Sequence, residues 1–425
     1  GERFGFYTMM AILVLFLQAK FGLSAEKAGG IYSWFYFSIY ALALVGGILA
    51  DATKKYKLVI LAGIIIMFAG YIIMAVPGMT LTITIIGLFT IAFGNGLFKG
   101  NLQAVVGQMY DNPQYSKLRD SAFMIFYMGI NVGAFFAPFA ANGMRNWWLK
   151  VNGFTHDGSL PSLCHQYING TMSADASTFQ QLADKVNISG PVTDLSAFAH
   201  NYLEVFSKGY NYAFGIAAGA MVISLLVYIF FNKLLPNKEV KISTVASEKV
   251  EFKPSVLFAA IIAMGVVAFL LQFITQLGST PAQRWATGLA IGLFAGFVTW
   301  IILSSRKEER ARITALVLVF IVVIFFWMSF HQNGLTLTLF ARDYNVKQVG
   351  PFTNLFFTLP SMLAVIGSIA GLVLLVYKDL KRNARIAGGI LFIVALLLAL
   401  FFAIGFDPTG LVGKLFTSFG SQNSI

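Results

Sequence analysis

Residues 57–110 read KLVILAGIIIMFAGYIIMAVPGMTLTITIIGLFTIAFGNGLFKGNLQAVVGQMY, and after Lys57 the one charged residue in that stretch is Lys99. An apolar run of about 20 residues crosses a hydrocarbon core of about 30 Å at about 1.5 Å per residue. The stretch therefore predicts two membrane spans, 57–77 and 80–109, with an ammonium group inside the second. Working outward, similar runs predict spans at 3–20, 29–50, 121–140 and 210–232, then at 255–274, 285–305, 312–340, 352–377 and 386–405. The whole chain agrees: 425 residues, 57% hydrophobic, 11% charged, with 42 Phe. Such a composition excludes a soluble globular protein. The expected fold class is an all-α polytopic membrane protein.

Lysine and arginine set the orientation. The loops 51–57, 110–120, 232–254, 305–312 and 378–385 hold 18 of the 30 basic residues. Short cytoplasmic loops carry such an excess, so these loops are expected inside and the long 141–209 segment outside. The net charge of +12 is then a topology signal, and no nucleic-acid partner is implied. Cys164 is the single cysteine, which rules out an intrachain disulfide and a paired-cysteine metal site. His156 and His165 lie near it in sequence, but no metal is assigned. Asn169-Gly-Thr171 and Asn187-Ile-Ser189 fit the glycosylation pattern, which is short enough to arise by chance. No cleavable signal peptide is visible.

Along the chain, residues 1–140 read as a bundle of five helices, 141–209 as an external insertion and 210–232 as a sixth helix. Residues 233–254 form a charged cytoplasmic linker, followed by a helix pair at 255–305, a further helix at 306–345, and additional helices with an external tail at 346–425. Six spans before a linker and more after it suit a transporter built from two helical halves. Both ends read as cut, with further helices expected downstream.

Four ionisable side chains are expected at membrane depth: Glu2, Arg3, Lys99 and His331. Groups of this kind are costly in a bilayer and usually face a cavity, a partner or a translocation path. Glu2 and Arg3 are neighbours and point about 100° apart on a helix, so they are not expected to face each other squarely. Lys99, on another helix, is expected to reach the first helix's carboxylate instead. Protonating that acid would free the cation for an incoming carboxylate and so link proton and anion binding. Counting charges leaves one positive charge over, which predicts a further acid before Gly1.

Several motifs carry a family resemblance. Glu2-Arg3-Phe4-Gly5-Phe6-Tyr7 resembles the end of the first-helix motif of the proton-dependent oligopeptide transporters. Gly46-Gly47-Ile48-Leu49-Ala50-Asp51 resembles their second-helix signature, with Asp51 at the cytoplasmic turn. Gly94 to Asn101 resembles the fourth helix, Phe126 to Gly133 the fifth, and Phe326-Trp327 with Gln332 and Gly334 the seventh. The resemblance implies a major-facilitator-type bundle, with 255–274 and 285–305 as an extra helix pair in the linker. It further implies proton coupling through Glu2, Arg3, Lys99 and His331, and a peptide pocket lined by Arg3, Tyr7, Tyr40, Lys99 and Asn131. Two positions depart from the pattern. Met10 stands where many members carry a carboxylate-gripping arginine. His331 stands where many carry a gating glutamate, and imidazole also titrates near neutrality.

The function expected is proton-coupled import of di- and tripeptides by a multi-pass protein of the plasma membrane, surrounded by lipid and needing no cofactor. One alternative keeps the fold and carries another small anion or amino-acid-like solute. Another is a membrane enzyme, for which clustered acids, histidines or cysteines at depth would be needed. The chain is not expected to be an enzyme, and no phosphate-binding glycine-lysine-serine loop points to ATP.

Overall fold

A computed structural model describes residues 1–110, 114–172, 176–235, 254–278, 280–306, 308–345, 353, 355–377 and 380–404. Among them, eleven helices are long and apolar enough to cross a membrane. The first eight helices are α1 (Glu2–Phe21), α2 (Ala25–Thr53), α3 (Tyr56–Ala75), α4 (Leu81–Met109), α5 (Arg119–Val151), α6 (Leu160–Ile168), α7 (Ala176–Val186) and α8 (Leu195–Phe231). Then come α9 (Pro254–Leu271), α10 (Pro281–Ser304), α11 (Arg310–Phe330), α12 (Thr336–Tyr344), α13 (Leu359–Val376) and α14 (Arg382–Ile404). One unit holds α1–α8 and α12–α14; a smaller one holds α9–α11.

Local chemistry sets the helix ends. Gly22 closes α1 in the left-handed region at φ 62°, which costs glycine nothing because it has no Cβ. Ser24 and Thr80 cap α2 and α4 by accepting from the backbone N–H of Lys27 and Ile83, each at 3.3 Å. Asp194 accepts two N–H bonds at the start of α8, and Thr280 with Gln283 forms a capping box on α10. These contacts satisfy donors that a helix start leaves open.

In the larger unit α1 is the central helix, packed against α2, α5 and α8. Met9, Leu13, Phe16 and Leu17 of α1 are fully buried, and Phe16 meets Tyr210 and Phe214 of α8 edge-on. α4 lies against both α2 and α3. A Cβ on Gly46 would run into the Gly96 carbonyl, so the two backbones touch, as small residues allow between membrane helices. At the other end of α3, Tyr228 donates to the Lys57 carbonyl at 2.7 Å and Lys57 Nζ donates to the Asn232 carbonyl at 3.0 Å. α13 and α14 pack as a hairpin, and in the smaller unit α9 and α10 do the same.

The boundaries that differ most from the sequence expectation are those of α5, α8 and the 312–340 span. α5 runs to Val151 rather than 140, and α8 starts at Leu195 rather than 210. Their polar ends read as loop, yet they pack as helix against the external segment, so the insertion of 141–209 shrinks to the stretch between them. The 312–340 span breaks into α11, a single 3₁₀ turn at His331–Gly334, and α12. The insertion extends the core of the helices: Phe154, Leu160, Cys164, Phe179, Ala183 and Val186 are buried together with Phe198 and Tyr202 of α8. Most of the linker, at 236–253, the loop 346–352 and the tail beyond 404 lie outside the described residues.

Candidate functional site

Glu2 opens α1 on the face turned inward and is only 5% exposed. Arg3 Nε stands 2.7 Å from Glu2 Oε2. Their positions about 100° apart on a helix predict that the two neighbours do not face each other squarely. The arginine chain is long enough to fold back across the 100° offset, and it does. The other carboxylate oxygen, Oε1, accepts from Asn95 Nδ2 of α4 at 2.8 Å. Arg3 also lies over the Phe6 ring, 5.4 Å from its centre.

Lys99 stands one helical turn beyond Asn95 and is half-buried. Its Nζ sits 4.3 Å from the centre of the Tyr40 ring, a cation–π contact in place of the expected bond to Glu2. Tyr40 is the end of a ladder on α2: Tyr32, Tyr36 and Tyr40 follow at four-residue spacing, with ring centres 5.8 and 5.7 Å apart. Phe6 joins Tyr36 to α1 at 6.5 Å and Tyr7 at 5.4 Å. Glu2, Arg3, Tyr7, Tyr40 and Lys99 are thus brought together by α1, α2 and α4.

The remaining predicted residues stand elsewhere. Asn131 is exposed on α5, two residues before Gly133, where α5 comes up against the backbone of Phe4. Asp51 accepts a hydrogen bond from the Tyr56 hydroxyl across the turn between α2 and α3. Met10 is buried in the core of α1. His331 caps the end of α11 in the smaller unit, with its ring stacked on Trp327 at 5.3 Å.

Two of the buried polar groups that sequence reasoning missed bear on the site and its surroundings. Asn95 is not singled out by the sequence reading, although its four-residue spacing from Lys99 is an available signal. Arg145 was assigned to an external loop, but α5 carries it into the protein, where it is 2% exposed. Its guanidinium donates to Asn146 Oδ1 at 3.1 and 3.0 Å and to the Tyr210 hydroxyl at 3.4 Å. The membrane-depth census of four therefore omitted a charge that the fold buries. In the external segment, Cys164 is buried, His165 bonds the Ala19 carbonyl at 2.8 Å, and His156 stacks on Phe206. Among the described residues no three His, Cys, Asp or Glu side chains group to hold a metal.

Known proteins resemble this chain over most of its length. The sequence model of the POT family matches residues 57–411. The dipeptide and tripeptide permease A of Pectobacterium carotovorum subsp. carotovorum (strain PC1) is 27% identical over 344 residues, which are 80% of this chain and 54% of the permease. The peptide transporter YePEPT of Yersinia enterocolitica subsp. palearctica is 26% identical over 369 residues, 83% of this chain and 60% of that protein. This chain thus spans little more than half the length of these relatives. A crystal structure of a peptide transporter POT in complex with sulfate covers 96% of this chain and 79% of its own, with a TM-score of 0.52 at 21% identity. At that identity it speaks for the fold, which is the major-facilitator-type bundle.

Proposed function

Because this chain belongs to the POT family, we propose that it carries di- and tripeptides across a cell membrane together with protons. The observation that carries the reading is a buried carboxylate held by a guanidinium on α1, with a second cation, Lys99, set against an aromatic ring nearby. In this reading Glu2 is the proton-binding acid. With Glu2 ionised, Arg3 is held by it. Protonation cancels that attraction and leaves Arg3 to join Lys99, and the two cations then receive the peptide's terminal carboxylate. Met10 offers no such grip, so the clamp falls to Arg3 and Lys99. Tyr7, Tyr40 and Asn131 supply hydroxyl and amide groups to the peptide backbone, and His331 serves the external gate. Asp51 belongs to the cytoplasmic turn, and α9 with α10 forms the extra pair inserted between the two halves. The apolar outer faces of the helices meet lipid.

The driving force suffices: a potential of about 100 mV supplies about 2.3 kcal/mol per charge, and one pH unit adds about 1.4 kcal/mol per proton. The test is uptake of labelled dialanine into proteoliposomes under an inward proton gradient. Unlabelled di- and tripeptides are expected to compete and free amino acids are not. Lys99→Ala is expected to lower accumulation at least about tenfold. Competition by free amino acids or another small anion, with none by peptides, would reassign the cargo. Full accumulation by Lys99→Ala would remove that lysine from the mechanism.

A further inference from the structure

The Glu2 carboxylate has a partner that the charged residues do not supply. Asn95 is 1% exposed, and its Nδ2 gives Glu2 Oε1 a hydrogen bond of 2.8 Å across the α1–α4 contact. The other end of the same amide is buried as well, and among the described residues Oδ1 has no hydrogen-bond partner. A buried polar atom left unbonded is destabilising, and a buried asparagine normally has both ends satisfied. The arrangement makes sense if the second end is used in another state of the site.

A primary amide has a donor face and an acceptor face of nearly equal size. A carboxylate can only accept, so it needs Nδ2. A carboxylic acid also donates, through its O–H, so it needs Oδ1. A half-turn of the Asn95 amide exchanges one for the other without a change of volume. The backbone can deliver the amide to one place for both. Asn95 lies between Gly94, where a Cβ would stand 2.6 Å from the Met67 nitrogen of α3, and Gly96, where it would stand 2.6 Å from the Leu42 carbonyl of α2. α4 is therefore seated on two neighbouring backbones at this residue.

We propose that Asn95 is a positioning residue that holds Glu2 in both its ionised and its protonated form by turning its amide end for end. It rests on the reading of Glu2 as the proton-binding acid. Among the described side chains, the other charged or titratable groups around Glu2 are Arg3 and Tyr7 on α1, Tyr71 on α3 and Lys99 on α4. Of these, Arg3 and Lys99 can only donate, whereas the amide can donate or accept. Asn95 and Lys99 share one face of α4 at four-residue spacing, so a change at Glu2 reaches the helix that carries the second cation.

The test compares two activities of the full protein in proteoliposomes, since their ratio does not depend on how much protein folds. One is dialanine accumulation driven by a proton gradient; the other is exchange of labelled for unlabelled dialanine without a gradient. Asn95→Leu keeps the shape and removes both faces, and is expected to lower the ratio of accumulation to exchange at least about tenfold. Asn95→Ser, whose hydroxyl donates and accepts, is expected to hold the ratio within about threefold of the parent. Glu2→Gln is expected to match Asn95→Leu, and the double variant to fall no further. If Asn95→Leu yields too little protein to read, Asn95→Ala takes its place with the same expected loss. A ratio within about threefold of the parent in the Leu or Ala variant, beside a collapsed ratio in Glu2→Gln, overturns the role of Asn95. So does an equal loss in Asn95→Ser and Asn95→Leu. An unchanged ratio in Glu2→Gln instead overturns the reading of Glu2.

Discussion

Glu2 and Lys99 were visible as soon as the chain was read, because a charge within an apolar run has few ordinary reasons to be there. Their partners were not. The spacing of Glu2 and Arg3 argued against a contact that the arginine's length permits, and Lys99 chose the Tyr40 ring over the acid. Pairing of side chains depends on rotamers that periodicity does not encode. Cys164 offers a separate check at this scale. Burial in the external segment pushes its thiol up to about 12, so at pH 8 only about one part in ten thousand is thiolate, the form that reacts. A membrane-impermeant maleimide is expected to label less than about a tenth of Cys164 in the time that labels an exposed Ser189→Cys fully, until a denaturant unfolds the protein. Full labelling of native Cys164 would show that the segment is not packed as described. The folded thiol titrates above its unfolded value of about 8.5, so this stabilisation holds below that pH and is lost as pH climbs toward 12.

At the scale of elements, the spans were legible where they were apolar throughout. α3 and α4 begin and end within a few residues of their expected limits. α5 and α8 were not, since Arg145 and its polar neighbours look like loop residues, yet the fold buries Arg145. Helix contacts were legible only as a hint in the glycines. Gly46 touches Gly96 backbone to backbone, while a Cβ on the next residue, Gly47, would meet nothing within 4 Å. Gly46→Leu is therefore expected to destabilise the bundle by about 1–3 kcal/mol through overpacking, read as a lower melting temperature in detergent. Gly47→Leu should melt with the parent. Equal melting of all three would mean that α2 and α4 do not cross where the structure puts them.

For the whole molecule, the fold class and family were readable because motif order survives at low identity, and the POT family match then covered residues 57–411. The site is less legible than the fold: its residues come from α1, α2 and α4, and only packing decides which of their polar groups meet. The claim that joins the scales is that peptide and proton enter together because one buried acid governs the cations that receive the peptide. Its most direct measurement is the internal pH of proteoliposomes loaded with a fluorescent pH indicator, followed after dialanine is added outside. The protein is expected to acidify the interior only when dialanine is present, and Glu2→Gln to abolish that acidification while still exchanging dialanine. Dialanine uptake with no acidification, or acidification that persists in Glu2→Gln, would contradict the account.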